Sequence, residues 1–401
     1  MKEIVKFREK INYDKYILEV KKIVESVKKD GDKAVIKFEE EFNGIKLKRL
    51  RVSKDEIDDA YDFVEDDLID ALEFAKENIE RFHNITSVER EIRIDFGDCT
   101  MGKIYVPIER VGAYIPGGRA SYPSTALMIG VPAKIAGVDE LIACTPANAD
   151  GKVNPLTLVA CDIAGFDKIY SASGAQAIAA MAYGTETIPR VYKIVGPGNV
   201  YVTAAKLLVS KDVPIDMPAG PSEILIIADE TAEPEFIASD CAAQLEHDPM
   251  SVAVLITTSS DLAEKVRKLV NGNFSHFVVK NLDEAIRIAN EFAPEHLVIC
   301  TKNAENLLRK VRNAGSVFIG NFSPVAAGDY ASGTNHVLPT LGFAKMYSGL
   351  SVETFLKHFT FQKIKKEGLK RIGDAVVRLS EAEGLKLHAE SIKKRFQKIS
   401  S

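Results

Sequence analysis

Through residues 14–90 apolar side chains recur at three- and four-residue spacing, as in YILEVKKIVESVKK and KDEIDDAYDFVEDDLIDALEFAKENIERF, with charges at the positions between. That period gathers the apolar side chains on one face of a helix, so the segment reads as amphipathic helices covering something larger, their charge runs being solvated faces. From about residue 104 the pattern changes to short β-rich runs punctuated by Gly and Pro: IYVPI, VGAYI, ELIACT, KIYSA, YKIVG, EILIIA, VAVLIT, HFVVK, HLVIC and SVFIG. Helical stretches separate most of them, the mark of parallel sheets built from βαβ units. Roughly ten strands are more than one compact sheet usually holds, so two α/β domains are expected. The last fifty residues, from VETFLKHFTFQKI onward, read as helices and as an appendage outside the core.

Composition fits this picture. The 401 residues are 46% hydrophobic and 27% charged, an ordinary balance for a globular protein, and the length exceeds that of a usual single core. Fifty-two basic and fifty-seven acidic side chains give a formal net charge of −5 with no long basic run, which argues against a nucleic-acid surface. The amino terminus, MKEIVKFREKINYDKY, lacks the apolar core of a signal peptide, and no apolar stretch approaches membrane-spanning length, so a cytoplasmic protein without a membrane partner is expected. Cys99, Cys144, Cys161, Cys241 and Cys300 are scattered with no CxxC pair and read as reduced thiols.

Four groups of residues could carry chemistry. In AAQLEHDP, Gln244 and His247 lie three apart on a helix expected to end at Pro249, so they share a face and can address one point. Such a pair can hold a metal, and a histidine there can equally cap the last carbonyls. Asp329 and His336 occur in the Gly-rich GDYASGTNHVLPT, which reads as an irregular loop where polar groups are either functional or turn-forming. Glu295 and His296 stand between a helix (LDEAIRIANEF) and a strand (HLVIC); side by side they offer two bases of different pKa, or a solvated Glu beside a half-buried His. This pair precedes its strand, whereas open α/β sheets usually bind ligands beyond the carboxyl ends of theirs. Finally, Tyr114-Ile115-Pro116-Gly117-Gly118, Ser173-Gly174-Ala175-Gln176 and Gly196-Pro197-Gly198-Asn199 each follow a predicted strand and could bring backbone N–H groups to a phosphate or ribose, although none is a GxGxxG fingerprint.

In this order, YIPGGRASYPS, SASGAQAIA, GPGNVYVTAAK, DMPAGPSEILIIADE, AAQLEHDP, APEHL, GDYASGTNHVLPT and EGLKLHAE make the chain from about residue 100 onward resemble the histidinol dehydrogenase family. The resemblance implies an α/β fold of two Rossmann-like, doubly wound domains with helical terminal appendages. The expected layout is an arm over residues 1–14, a discontinuous domain over 15–112 and 222–348 carrying metal and catalytic residues, an NAD-binding domain over 113–221 inserted in it, and a helical tail over 349–401. It also implies one zinc per subunit on Gln244, His247, Asp329 and His388, with Glu295 and His296 as the proton-transfer pair. Ser222, His336 and Glu383 would join the metal ligands and His296 in contacting substrate, while Tyr114, Gln176 and Asn199 would line the NAD site. The implied reaction is the four-electron oxidation of L-histidinol through histidinaldehyde to L-histidine, with two NAD reduced, at the end of histidine biosynthesis. The implied assembly is a homodimer whose sites are shared.

Three other readings compete. A zinc hydrolase would use Glu295 to activate water but has no HExxH signature; a thiol mechanism of the aldehyde-dehydrogenase kind would draw on Cys144, at the end of the ELIAC strand; a non-catalytic binding protein of two lobes would leave the convergent Gln, His, Asp and Glu-His sets without a use.

Overall fold

A computed structural model of the chain describes residues 13–117 and 121–400. The arm expected over residues 1–14 lies outside the described residues except for Tyr13 and Asp14, and so do Gly118, Arg119 and Ala120 of the YIPGGRASYPS segment. The described strands run β1 (Glu91–Asp95), β2 (Cys99–Pro107), β3 (Arg110–Tyr114), β4 (Glu140–Thr145), β5 (Lys168–Ser171), β6 (Lys193–Val195), β7 (Glu223–Ala228), β8 (Val252–Thr257), β9 (Phe274–Val278), β10 (His296–Cys300), β11 (Ser316–Ile319) and β12 (Leu356–Ile364). They form three sheets in two compact units.

The first unit comprises the residues up to Ser87 together with Ile108–Phe355. It holds a four-stranded parallel sheet, β5-β4-β3-β6, and a five-stranded parallel sheet, β11-β10-β7-β8-β9. In β7 the run EILIIA is buried at every position, with Ile224, Ile226 and Ala228 in one apolar cluster and Leu225 and Ile227 in another. Side chains alternate faces along a strand, so an unbroken apolar run is what a sheet covered on both faces requires. The amino-terminal helices Tyr13–Asp30 and Asp32–Asn43 appear where the helical period predicts them, and Val20, Val24, Val27 and Val35 share a core with Tyr170, Ala177 and Ile178 of the four-stranded side. The boundary expected at 113 falls inside β3, and that at 221 just ahead of β7.

The second unit, Val88–Pro107 with Leu356–Ser401, is an antiparallel sheet β1-β2-β12 with the helices Lys366–Ala382 and Lys386–Ser400. Here the expectation of an all-helical tail is corrected. LKHFTFQKI forms β12, paired along its whole length with β2; at its centre Phe359-Thr360-Phe361 alternates apolar and polar, and aromatic and β-branched residues suit a pleated surface. Among the described residues no helix is long and apolar enough to cross a membrane.

Candidate active site

The amino edge of the five-stranded sheet gathers one group of candidate residues. The helix Leu282–Phe292 ends at Ala293, which takes a left-handed φ of 53° and turns the chain sharply into β10. Glu295 and His296 therefore stand at the mouth of a central strand, where both are buried (7% and 3% exposed) and neither is a solvated corner residue. The backbone N–H of Glu223, first residue of β7, donates to Glu295 Oε2 at 2.8 Å. Burial pushes the Glu295 carboxyl up to about 7, against the opposing pull of His296. For His296 burial disfavours the cation, yet the carboxylates of Glu295 and Asp329 outweigh it and its pKa ends raised. The imidazole lies 3.7 Å from Glu295 Oε2 through Nδ1 and 3.3 Å from Asp329 Oδ1 through Nε2. These are ion-pair distances, and neither ring nitrogen has a partner of good hydrogen-bond geometry.

Asp329 belongs to the short helix Val325–Tyr330, which corrects its expected place in an irregular loop: VAAGDY follows the helix-starting Pro324, and the irregular stretch begins only after Tyr330. Burial would raise the Asp329 carboxyl, but His296, with His336 and His247 near enough to contribute, holds it below the usual carboxylate range. His336 Nδ1 lies 2.7 Å from the carbonyl oxygen of Asp329, which can only accept, so Nδ1 carries the proton. Burial lowers the pKa of this imidazole, and its neutral Nε2 is left to accept from the Thr125 hydroxyl at 3.3 Å.

Gln244 closes the helix Pro234–Leu245, and His247 lies just beyond it. Asp248 precedes Pro249, whose ring disfavours helical backbone, and it instead takes a turn in which its side chain accepts from Met250 N–H. The carboxamide of Gln244 is buried (2% exposed), with neither its nitrogen nor its oxygen paired. A buried amide with both ends unpaired is costly, and a cation would satisfy its oxygen end. Gln244 oxygen, His247 imidazole and Asp329 carboxylate are donors that zinc accepts. Among the described residues no three His, Cys, Asp or Glu side chains gather as a ready metal cluster, so a metal here needs the Gln oxygen as one of its donors.

The second group lies at the carboxyl edge of the four-stranded sheet. A cleft of about 890 Å³ is lined there by Tyr114, Gln176 and Asn199 together with Gly117, Ser173 and Gly174. Tyr114 ends β3, and its hydroxyl, kept protonated by a pKa that burial raises to about 12, accepts from Gly174 N–H at 3.2 Å. Asn199 caps the helix Val200–Val209, its Oδ1 accepting from the N–H groups of Tyr201 and Val202. The loop ahead of it is fixed by the buried Lys206, which donates to Gly196 O at 2.8 Å and pairs with Asp216, itself accepting from Gly196 N–H at 2.7 Å.

The structure thus brings His247, His296, Asp329 and His336 within electrostatic reach of one another, and Tyr114, Gln176 and Asn199 onto one cleft. Ser222 is half-buried immediately before β7, next to the residue that holds Glu295. Glu383 and His388 belong to the second unit, at the end of the helix Lys366–Ala382 and on the helix Lys386–Ser400, both exposed. Sequence reasoning missed Glu39. It sits in a glutamate run that reads as a solvated face, yet it is 0% exposed and accepts hydrogen bonds from Ser173 and Gln176. The available signal was its helical spacing from the apolar Val35, four residues earlier.

Comparison with known proteins identifies the family. The family model described as histidinol dehydrogenase matches residues 6–396. The chain belongs to the histidinol dehydrogenase family. A histidinol dehydrogenase of Archaeoglobus fulgidus is 69% identical over the whole of both chains, and that of Methanocaldococcus jannaschii is 48% identical, covering 97% of this chain and 95% of its own. Among solved structures, a histidinol dehydrogenase from Elizabethkingia anophelis superposes with a TM-score of 0.93 at 41% identity, covering 98% of this chain and 94% of that one. The fold is therefore the family's α/β fold.

Proposed function

We propose that this chain oxidises L-histidinol to L-histidine with NAD, passing through histidinaldehyde at a single site. The observation that carries the reading is the buried Glu295–His296 pair at the mouth of β10, held by the Glu223 N–H on one side and facing Asp329 on the other. A general base must reach the proton it removes from a position fixed by other groups. His296 takes the proton of the substrate hydroxyl as hydride departs, giving the aldehyde. Glu295, with a pKa near neutrality, accepts a proton from the water that hydrates the aldehyde. His296, having returned its first proton to the aldehyde oxygen as the water adds, then takes the hydrate's proton during the second hydride loss. In sum one alcohol and one water lose four electrons and become a carboxylate. The hydride acceptor in each oxidation is the nicotinamide of NAD, for which the cleft lined by Tyr114, Gln176 and Asn199 is the site.

Gln244, His247 and Asp329, joined by His388, are the residues that would hold a zinc ion, one per subunit. Bound there, zinc supplies Lewis-acid and anchoring chemistry suited to a nitrogen-rich substrate. Ser222, His336 and Glu383 complete the substrate contacts. Burial of the pair excludes bulk water from the reacting carbon and favours retention of the aldehyde between steps. The reading includes a cytoplasmic homodimer whose sites draw on both chains.

Two measurements test this. Absorbance of reduced nicotinamide against histidinol consumed should give a ratio near two with little free aldehyde; a ratio of one with aldehyde accumulating contradicts a single site for both steps. For the assembly, His296→Ala and His388→Ala chains, each nearly inactive alone, should regain activity when co-refolded, because one site of the mixed dimer then contains neither change. No recovery places His388 in its own chain's site.

A further inference from the structure

The carboxylate of Glu39 is fully buried, and its partners are all hydrogen-bond donors on the cleft side of the four-stranded sheet. Oε1 accepts from the Ser173 N–H at 2.7 Å, the Ser173 hydroxyl at 2.9 Å and Gln176 Nε2 at 2.9 Å; Oε2 accepts from Asn43 Nδ2 at 2.9 Å and, at 3.0 Å, from the same Ser173 hydroxyl. Among the described residues no cationic side chain pairs with it. Ser173 precedes the helix Gly174–Tyr183 without capping it through its own side chain, so the anion stands at that helix's amino terminus, where unpaired N–H groups and the helix dipole favour negative charge.

This placement determines what the cleft wall offers a ligand. With Nε2 of Gln176 committed to Glu39, the free end of that amide is its oxygen, which lies 3.0 Å from where a Cβ on Gly174 would stand. Tyr114 already accepts from Gly174, so its O–H is left to donate; Asn199 spends its oxygen on the helix cap, so its Nδ2 is left to donate. All three residues line the same cleft. These three side chains therefore present one acceptor and two donors, and the acceptor is an oxygen only because Glu39 orients the amide. A free Gln amide could present either end.

We propose that Glu39 is a positioning residue for the dinucleotide: it acts through Gln176 and Ser173 to fix the hydrogen-bond pattern that the cofactor's hydroxyl and amide groups meet. The proposal rests on the reading of this cleft as the NAD site. Its test is a double-mutant cycle of Glu39→Gln and Gln176→Ala on the full-length enzyme, with NAD affinity measured calorimetrically and KM and kcat measured for both substrates. Glu39→Gln should weaken NAD binding and raise KM for NAD by about tenfold, the scale of one lost charge-assisted hydrogen bond, with kcat and KM for histidinol within about twofold. In the Gln176→Ala background the same change should add no more than about twofold, because the residue through which it acts is gone. Unchanged NAD affinity in Glu39→Gln, multiplicative effects in the double variant, or a matching loss of kcat and histidinol affinity would each overturn the proposal. If Glu39→Gln fails to fold, Glu39→Asp, which keeps the charge but shortens the reach, should give the same split. Gln176→Ala with wild-type NAD binding would sink the cleft assignment and the proposal with it, whereas a defect in Gln176→Ala alone removes only the role of Glu39.

Discussion

The two sheets of the first unit use opposite edges. In the four-stranded sheet the candidate residues follow the strands: Tyr114 ends β3, Ser173 and Gln176 come after β5, and Asn199 comes after β6. Two helices begin at this edge, Gly174–Tyr183, whose amino terminus faces the Glu39 carboxylate, and Val200–Val209, whose first N–H groups are capped by Asn199. In the five-stranded sheet the residues precede the strands: Ser222 and Glu223 lead into β7, and Glu295 and His296 into β10. Three helices end near this group, at Leu245, Phe292 and Tyr330, and deliver Gln244, Glu295 and Asp329 from carboxyl termini whose carbonyls favour cations. One edge thus offers hydrogen-bonding side chains beside a cleft, and the other offers carbonyl ends that favour a metal ion or an imidazolium. On the proposed reading, the cofactor cleft follows the common rule that places ligands beyond the carboxyl ends of strands, while the Glu295–His296 group departs from it and uses the opposite end, where helix carbonyls favour cations.

If the edges divide the work in this way, changes at the amino edge should abolish chemistry while sparing the cofactor cleft. The largest effect is expected for His296→Ala, a loss of about 10²–10⁴-fold in kcat for both the alcohol and supplied histidinaldehyde, with NAD affinity unchanged. Glu295→Gln should separate the steps, slowing oxidation of supplied histidinaldehyde more than oxidation of histidinol to the aldehyde. Equal losses in the two half-reactions would show that Glu295 does more than activate water, and a fall in NAD affinity in either variant would blur the line between the edges.

The same two edges differ in how legible they were. The β-rich runs identified ten of the twelve described strands: nine are parallel, their apolar segments bounded by Gly and Pro, and the tenth, the antiparallel β2, shows through its apolar IYVPI. The missed β1 and β12 are antiparallel and largely exposed, so EIRID and LKHFTFQKI carry charges and lack that signature. Motifs located the residues at both edges, but local pattern misjudged their settings. Gly328 masks the six-residue helix that holds Asp329, and Pro249 suggests a helix stop beyond His247 although the chain leaves the helix at Leu245. Glu39 was the least legible. Of three consecutive glutamates only this one is buried, and what decides it is the helix Gly174–Tyr183 presenting Ser173 and Gln176, more than 130 residues away in sequence.

The smallest expected effect tests whether the carboxyl edge is limited to binding. Cys144 lies in β4 beside the last residue of β3, with Tyr114 as its register partner, so a thiol mechanism would look first to this side chain. It is completely buried, and burial pushes its pKa far up, away from the thiolate that a nucleophile needs. Its carbonyl accepts from the Ile115 N–H at 3.0 Å, so its backbone helps continue β3 toward the cleft while its side chain packs in the core. Cys144→Ala removes one buried sulfur and should lower stability by about 1–2 kcal/mol, seen as a drop in melting temperature of a few degrees. Activity should stay within about twofold of wild type for both histidinol and histidinaldehyde, since the scheme built on His296 and Glu295 needs no thiol. A loss of several orders of magnitude, with NAD still bound, would put covalent chemistry at the carboxyl edge and end the division between a binding edge and a reacting one.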